Sequence, residues 1–138
     1  MTWPTPMAGM LIRYSFLWDE EAQAGREEGV KDRPCAIVLV TLARGEDTRV
    51  RVLPVTHSPP HSGADAIEIP FPIKRRLGLD TEPSWIVLSE MNDFAWPGPD
   101  VRPIGSTGSP VYGFLPNVFF RYVLTQFVKK RARVTRRT

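Results

Sequence analysis

The stretch 29-GVKDRPCAIVLVTLARGEDTRVRVLPVTHS-58 decides the fold. It begins charged, turns apolar at Arg33-Pro34 and stays nearly so to Leu42, as expected of a strand buried on both faces. Ala43-Arg44-Gly45-Glu46-Asp47 turns the chain back. Thr48 to Val55 returns as a β-branched strand, with Val50 and Val52 on one side and Arg49 and Arg51 on the other. Pro54 has no N–H to give a ladder, so it points to an edge or a bulge near the strand's end. In an antiparallel hairpin the start of one strand lies beside the end of the other. The hairpin therefore predicts that Arg33 and Thr56 meet at one rim of the sheet. A permanent cation beside a hydroxyl is a pair suited to holding a phosphate without a metal.

Working outward toward the N-terminus, the segment 1–8 reads as a loose, proline-broken lead-in. Gly9 then opens a strand. Met10, Ile12, Tyr14, Phe16 and Trp18 recur at every second position, a period that gives a strand one buried face. Asp19 to Lys31 (DEEAQAGREEGVK) is charged and nearly free of apolar residues, so it reads as a long loop. Asp19 to Ala24 can wind into a helical turn, which Gly25 would end.

On the other side of the hairpin, His57 to Gly63 is loop. Ala66 to Ile69 is a short strand. Pro72 to Leu77 makes one or two helical turns that carry Lys74, Arg75 and Arg76 at the favourable end of the dipole and stop at Gly78. Ser84 to Met91 is a buried strand, Asn92 to Asp100 a bend, and Val101 to Ile104 a possible last strand. Pro116 leads into the one convincing helix, whose two apolar stripes predict more burial than a surface helix has. The segments joining the strands are too small for βαβ crossovers. The fold class is mainly β: a strongly twisted antiparallel sheet closing as a small barrel, with a C-terminal helix packed on it.

The 138 residues suit a single domain. Fourteen prolines against ten glycines favour short segments broken by turns over long helices. The net charge of +3 is unevenly placed. Positions 129–138 carry six basic residues, and without them twelve basic face fifteen acidic ones. This basic tail could meet nucleic acid or an acidic partner; a solvated, disordered end is the simpler expectation. Cys35 stands alone in an apolar run, so it reads as a buried structural thiol in a reducing compartment. The N-terminus lacks a basic-then-apolar leader, and no apolar run has the length of a membrane span. These features predict a cytoplasmic protein.

Two histidines and one cysteine without ligand spacing argue against a metal hydrolase, and no nucleophile elbow is present. The planar fork of Arg33 matches two phosphate oxygens. Thr56 can bond a third through its hydroxyl. His57 is of the residue type that exchanges a proton at neutral pH. Glu90 can serve as a base or as an acceptor. Trp18, which ends its strand beside the charged loop, offers a stacking face. For Arg33 the structural alternative is an ion pair with Glu90 or Asp32 at the rim; for Thr56 it is a plain strand end, and for His57 an exposed loop residue.

Three blocks in order resemble the PemK/MazF family of toxin ribonucleases: the Gly-led strand Gly9 to Trp18, Arg33-Pro34 heading the apolar strand to Leu39, and Val52-Leu53-Pro54-Val55-Thr56-His57-Ser58. SWIVLSEMNDFAW (84–96) resembles a fourth. The resemblance implies an SH3-like barrel that forms a homodimer. It implies cofactor-free, metal-independent cleavage of single-stranded RNA, and inhibition by an acidic antitoxin protein. It puts the catalytic Arg on Arg33, the catalytic Thr on Thr56 and a later-strand polar position on Glu90, with His57 added by its place next to Thr56. The RNA-contacting positions on this reading are Trp18, Lys31, Asp32 and Ser58. The loop to Lys31 has no His where some members carry one; it offers Glu20, Glu21, Glu27, Glu28 and Asp32 instead, which leaves the general base open. The alternatives are a barrel toxin that acts by protein contact, as a gyrase poison does, and an inactive binding relative.

Overall fold

The computed structural model describes residues 3–27, 29, 31–42, 45 and 47–137. In order the elements are β1 (Met10–Tyr14), α1 (Asp19–Gln23), β2 (Arg33–Thr41), β3 (Arg49–Thr56), β4 (Ala66–Glu68), α2 (Phe71–Arg76), β5 (Trp85–Val87), β6 (Glu90–Ala95), β7 (Val111–Phe114), α3 (Asn117–Val128) and β8 (Arg133–Arg136). The expected β2–β3 hairpin forms, and its turn at Ala43, Arg44 and Glu46 lies outside the described residues, as does Glu28 in the charged loop. The sheet runs β4-β5-β3-β2-β1-β7, with β6 also on β3 and β8 on β6.

The expected barrel closure does not occur: among the described residues β4 and β7 end the sheet without pairing to each other. The reason lies in β3. Its first half pairs with β6, from Arg49↔Ala95 to Val52↔Asn92. Its end pairs with β5, through Val55↔Ile86 and Thr56↔Trp85. Pro54 stands between the two pairings and cannot donate to either, so the strand changes partners there. The sequence 84–96, expected as one strand and a bend, accordingly breaks into β5 and β6 around Leu88-Ser89.

The sheet is apolar on both faces. Leu11, Ala36, Val38, Leu53, Val55, Ile86 and Val123 share one core. Met10, Ile12, Tyr14, Cys35, Ile37, Val50, Val52 and Phe94 share the other. The single buried face expected of β1 is thus two, because Leu11 is fully buried opposite Ile12. The thiol of Cys35 is buried as expected, and desolvation pushes it far up. Helix α3 closes the first core with Val123, Phe119, Phe120, Leu124 and Phe127. It is less buried than its two stripes suggest: Val118 is 82% exposed and Tyr122 and Val128 are also open. The 101–104 strand reduces to one bridge, Tyr14↔Val101. One unexpected strand is β7, where Gly113 at φ +148° lies so near Leu77 that a side chain there would collide with it.

Both chain ends differ from expectation. Trp3 packs against the second core, and Trp96 Nε1 donates to the Pro4 carbonyl at 3.0 Å, so the lead-in is ordered from Trp3. The basic tail is structure too. β8 runs parallel to β6, from Glu90↔Arg133 to Asp93↔Arg136. Arg137 is 6% exposed; it donates to Tyr14 Oη, the Ser15 and Glu27 carbonyls and Asn92 Oδ1, and pairs with Asp100 at 2.9 Å. A guanidinium so deeply desolvated persists because nearly every donor is used. Replacing one partner of such a pair costs about 3–5 kcal/mol. Arg137→Ala is therefore expected to lower the urea-unfolding free energy by roughly 3 kcal/mol, whereas a solvated tail predicts no change.

Candidate functional site

The site is built at the β2–β3 rim. The ladder pairs Cys35 with Pro54, and two more steps along the same register bring Arg33 opposite Thr56. Arg33 Nη1 donates to the Val55 carbonyl at 3.3 Å. Its guanidinium carbon lies 5.1 Å from the centre of the Trp18 ring, and Trp18 is braced edge-on by Phe16. Asn92 fixes the segment that presents Trp18: its side chain accepts from Leu17 N–H and donates to the Leu17 carbonyl. Arg33 thus meets an aromatic face and a carbonyl. Among the described residues no carboxylate pairs with it, and its buried Nε–H has no partner. Desolvation lowers its pKa, against weaker opposing fields from Cys35 and Glu21. The expected alternative, a pair with Glu90 or Asp32, is not made. Asp32 is turned to Arg13 at 3.5 Å and Arg102 at 3.9 Å.

Two clefts meet at this rim and share Lys31, Arg33, Thr56 and His57 as their common wall. One continues past Pro34, Leu79, Asp80, Ser84 and Tyr112. The other continues past Trp18, Glu20, Ser58, His61, Ser89 and Glu90. The structure therefore gathers Arg33, Thr56, His57, Glu90, Trp18, Lys31 and Ser58 along one groove, with Asp32 at its edge but committed to ion pairs. Thr56 Oγ1 accepts the Ser58 N–H at 3.1 Å, which leaves its own proton free to donate outward.

Glu90 is half-buried, and its Oε1 accepts the Asp19 N–H at 2.7 Å. Desolvation raises its pKa; the Asp19 N–H and the Arg133 charge oppose this in part, while the Asp19 charge adds to it. His57 is an exposed loop residue, as its alternative reading has it, but not one without partners: Nε2 lies 2.8 Å from Asp80 Oδ2 and 3.7 Å from Glu82 Oε2. Lys74, Asp80, Glu82 and Tyr112 were beyond the reach of sequence reasoning. Lys74 reads as one of three surface charges ending a helix, yet it is 2% exposed. His57, Asp80 and Glu82 bring one potential ligand atom each to within 4.8 Å of one another. Asp80 already receives the Lys74 ammonium at 2.7 Å, and that charge does there what a bound cation would.

No protein-family model matches the chain, and no curated protein matches it. Among the described residues no helix is long and apolar enough to cross a membrane.

The raised pKa of Glu90 has a sign that can be measured. Its protonated form is favoured by folding, so the stability it contributes is full below the unfolded value of about 4.3 and lost as pH rises through the folded one. Glu90→Gln keeps an acceptor for Asp19 and has no charge to bury. Its denaturation midpoint should match the wild type at pH 4 and exceed it at pH 8; a midpoint below the wild type at pH 8 would show that the ionised carboxylate is stabilising.

Proposed function

We propose that this protein is a metal-independent endoribonuclease that cuts single-stranded RNA, the toxin of a toxin–antitoxin pair resembling the PemK/MazF family. The observation that carries the reading is Arg33: a half-buried guanidinium without a carboxylate partner among the described residues, opposite a hydroxyl, at the junction of two open clefts. An unpaired cation of this kind costs stability in the free protein and is relieved by an anion in the groove.

The division of labour follows from the groups present. Arg33 and the Thr56 hydroxyl hold the phosphate and stabilise the charge that grows on it as the 2′-oxygen attacks. His57 takes the 2′-OH proton. Glu90, whose burial favours its acid form, gives a proton to the departing 5′-oxygen through the oxygen that Asp19 leaves free. Trp18 offers a ring on which a base can stack, and Lys31 adds a second positive charge beside Arg33. The same reading includes a homodimer and an acidic antitoxin. Val118 and Tyr122, one helical turn apart on α3 and both exposed, are the apolar strip a second copy would cover, so sedimentation at micromolar concentration should give a dimer; a monomer there removes that part of the proposal.

Cleavage of a mixed-sequence single-stranded RNA in chelator is the decisive assay. Wild-type protein is expected to cut. Arg33→Ala is expected to lose at least about a hundredfold in rate with its circular dichroism unchanged. Equal rates for the two proteins would overturn the site. Activity lost in chelator and restored by a divalent ion would overturn the mechanism. Absence of cleavage by the folded wild type would favour a barrel that acts by protein contact.

A further inference from the structure

The ammonium of Lys74 sits in the fold as a structural charge. It is 2% exposed, and its protons go to Asp80 Oδ1 at 2.7 Å, Ser84 Oγ at 2.7 Å and the Glu82 carbonyl. Asp80 Oδ1 also accepts the Glu82 N–H at 3.1 Å. One oxygen of this carboxylate is therefore held from two sides, by Lys74 of α2 and by the backbone of the α2–β5 connection. Its other oxygen faces His57 Nε2 at 2.8 Å. The hydrogen bond from Lys74 is the largest influence that holds the Asp80 carboxyl below its ordinary range; desolvation opposes it, and the His57 hydrogen bond adds to the lowering. Half of the carboxylate surface is open to water, and an exposed Asp–His pair without such an anchor contributes little.

We infer that Asp80, clamped by Lys74, is a positioning residue for His57. It fixes the imidazole through Nε2 and so reserves Nδ1 for the RNA. The inference rests on the ribonuclease reading and names the residue that positions its base. With Nε2–H donated to Asp80, the lone pair is on Nδ1. The 2′-oxygen bonds to phosphorus as its proton passes to Nδ1, the P–O5′ bond breaks, and the 5′-oxygen takes its proton from Glu90. The imidazolium formed in that step faces the Asp80 carboxylate, which stabilises it without taking the proton. Lys74 does not touch substrate; it keeps the carboxylate aimed.

The test is a double-mutant cycle on the full chain with mixed-sequence single-stranded RNA. Asp80→Asn is expected to lower kcat by about tenfold or more with KM little changed. In a His57→Ala background it should cost nothing further, because a residue acting through His57 has nothing left to position. Lys74→Met should resemble Asp80→Asn if it folds; the cycle does not depend on it. An equal loss in both backgrounds, or no loss while Arg33→Ala abolishes cleavage, overturns the inference and leaves the ribonuclease reading standing. A readout independent of activity is the His57 side-chain rotamer from three-bond NMR couplings. One rotamer in the wild type and averaging in Asp80→Asn support the clamp, and averaging in the wild type overturns it. If the folded wild type does not cut, the ribonuclease reading fails, and if Arg33→Ala cuts as well as the wild type, the Arg33 site fails; in either case the couplings still decide whether Asp80 holds the ring.

Discussion

The β2–β3 ladder is the constraint from which the groove follows. Its register from Cys35↔Pro54 to Ile37↔Val52, where both faces are buried, cannot slip by one residue without sending Ala36, Ile37, Val52 and Leu53 to the wrong cores; the one-residue shift in the ladder comes only beyond it, between Ile37 and Leu39. With the register set, Arg33 and Thr56 must stand at the same rim. The partner change at Pro54 then opens that rim. β6 leaves β3 after Val52 and β5 takes over at Val55, so the sheet splays instead of closing, and the gap is the groove. A proline that breaks a ladder and a pair of polar residues at the break are two results of one local geometry.

Charge placement gives the rim its character. Elsewhere the chain spends its carboxylates on its arginines. Asp93 receives Arg49 at 2.6 Å and Arg51 at 2.9 Å; desolvation works to raise its pKa, but those two arginines prevail and hold it low. Asp32 receives Arg13 and Arg102, and Asp80 receives Lys74. Arg33 lies two strand positions from Cys35, in a chain with fifteen acidic residues, and is given an indole ring and a carbonyl instead. Withholding an acid from a half-buried guanidinium sacrifices stability at one point, the sort of local inconsistency that tends to mark a working site.

How much of this was legible depended on whether a feature is local in sequence. The hairpin, the strand β1, the short α1 ending before Gly25 and the helix after Pro116 are written in periodicity and turn residues, and each appears, although β1 buries both faces where its alternation predicts one. So does the meeting of Arg33 with Thr56 along one groove, because an antiparallel hairpin leaves no other arrangement. Barrel closure failed because one proline decides which neighbour β3 takes, and nothing local says that β5 and β6 are separate strands. Lys74 was illegible for a different reason: KRR at a helix end has the same composition whether its first residue faces water or the Asp80 and Ser84 side chains. Asp80 follows a Gly-Leu turn with no pattern to single it out.

The basic C-terminal segment carries the largest revision, and it changes the electrostatics of the whole protein. A free tail would supply long-range attraction for nucleic acid. Here Lys130 is held by Asp65 at 2.6 Å, Arg133 by Asp19 at 3.4 Å and Arg137 by Asp100 at 2.9 Å, so three of its six charges are spent on tying β8 and its flanks to the sheet. What β8 does for the groove is mechanical. Through Arg137 it completes the buried set of Tyr14, Asn92 and the Ser15 carbonyl, and through Asn92 that set fixes Leu17 and hence the approach of Trp18 to Arg33. The indole that desolvates the guanidinium is thus held by the C-terminal segment, some hundred residues away, and Lys31 and Arg33 set a short-range positive field against that fixed wall.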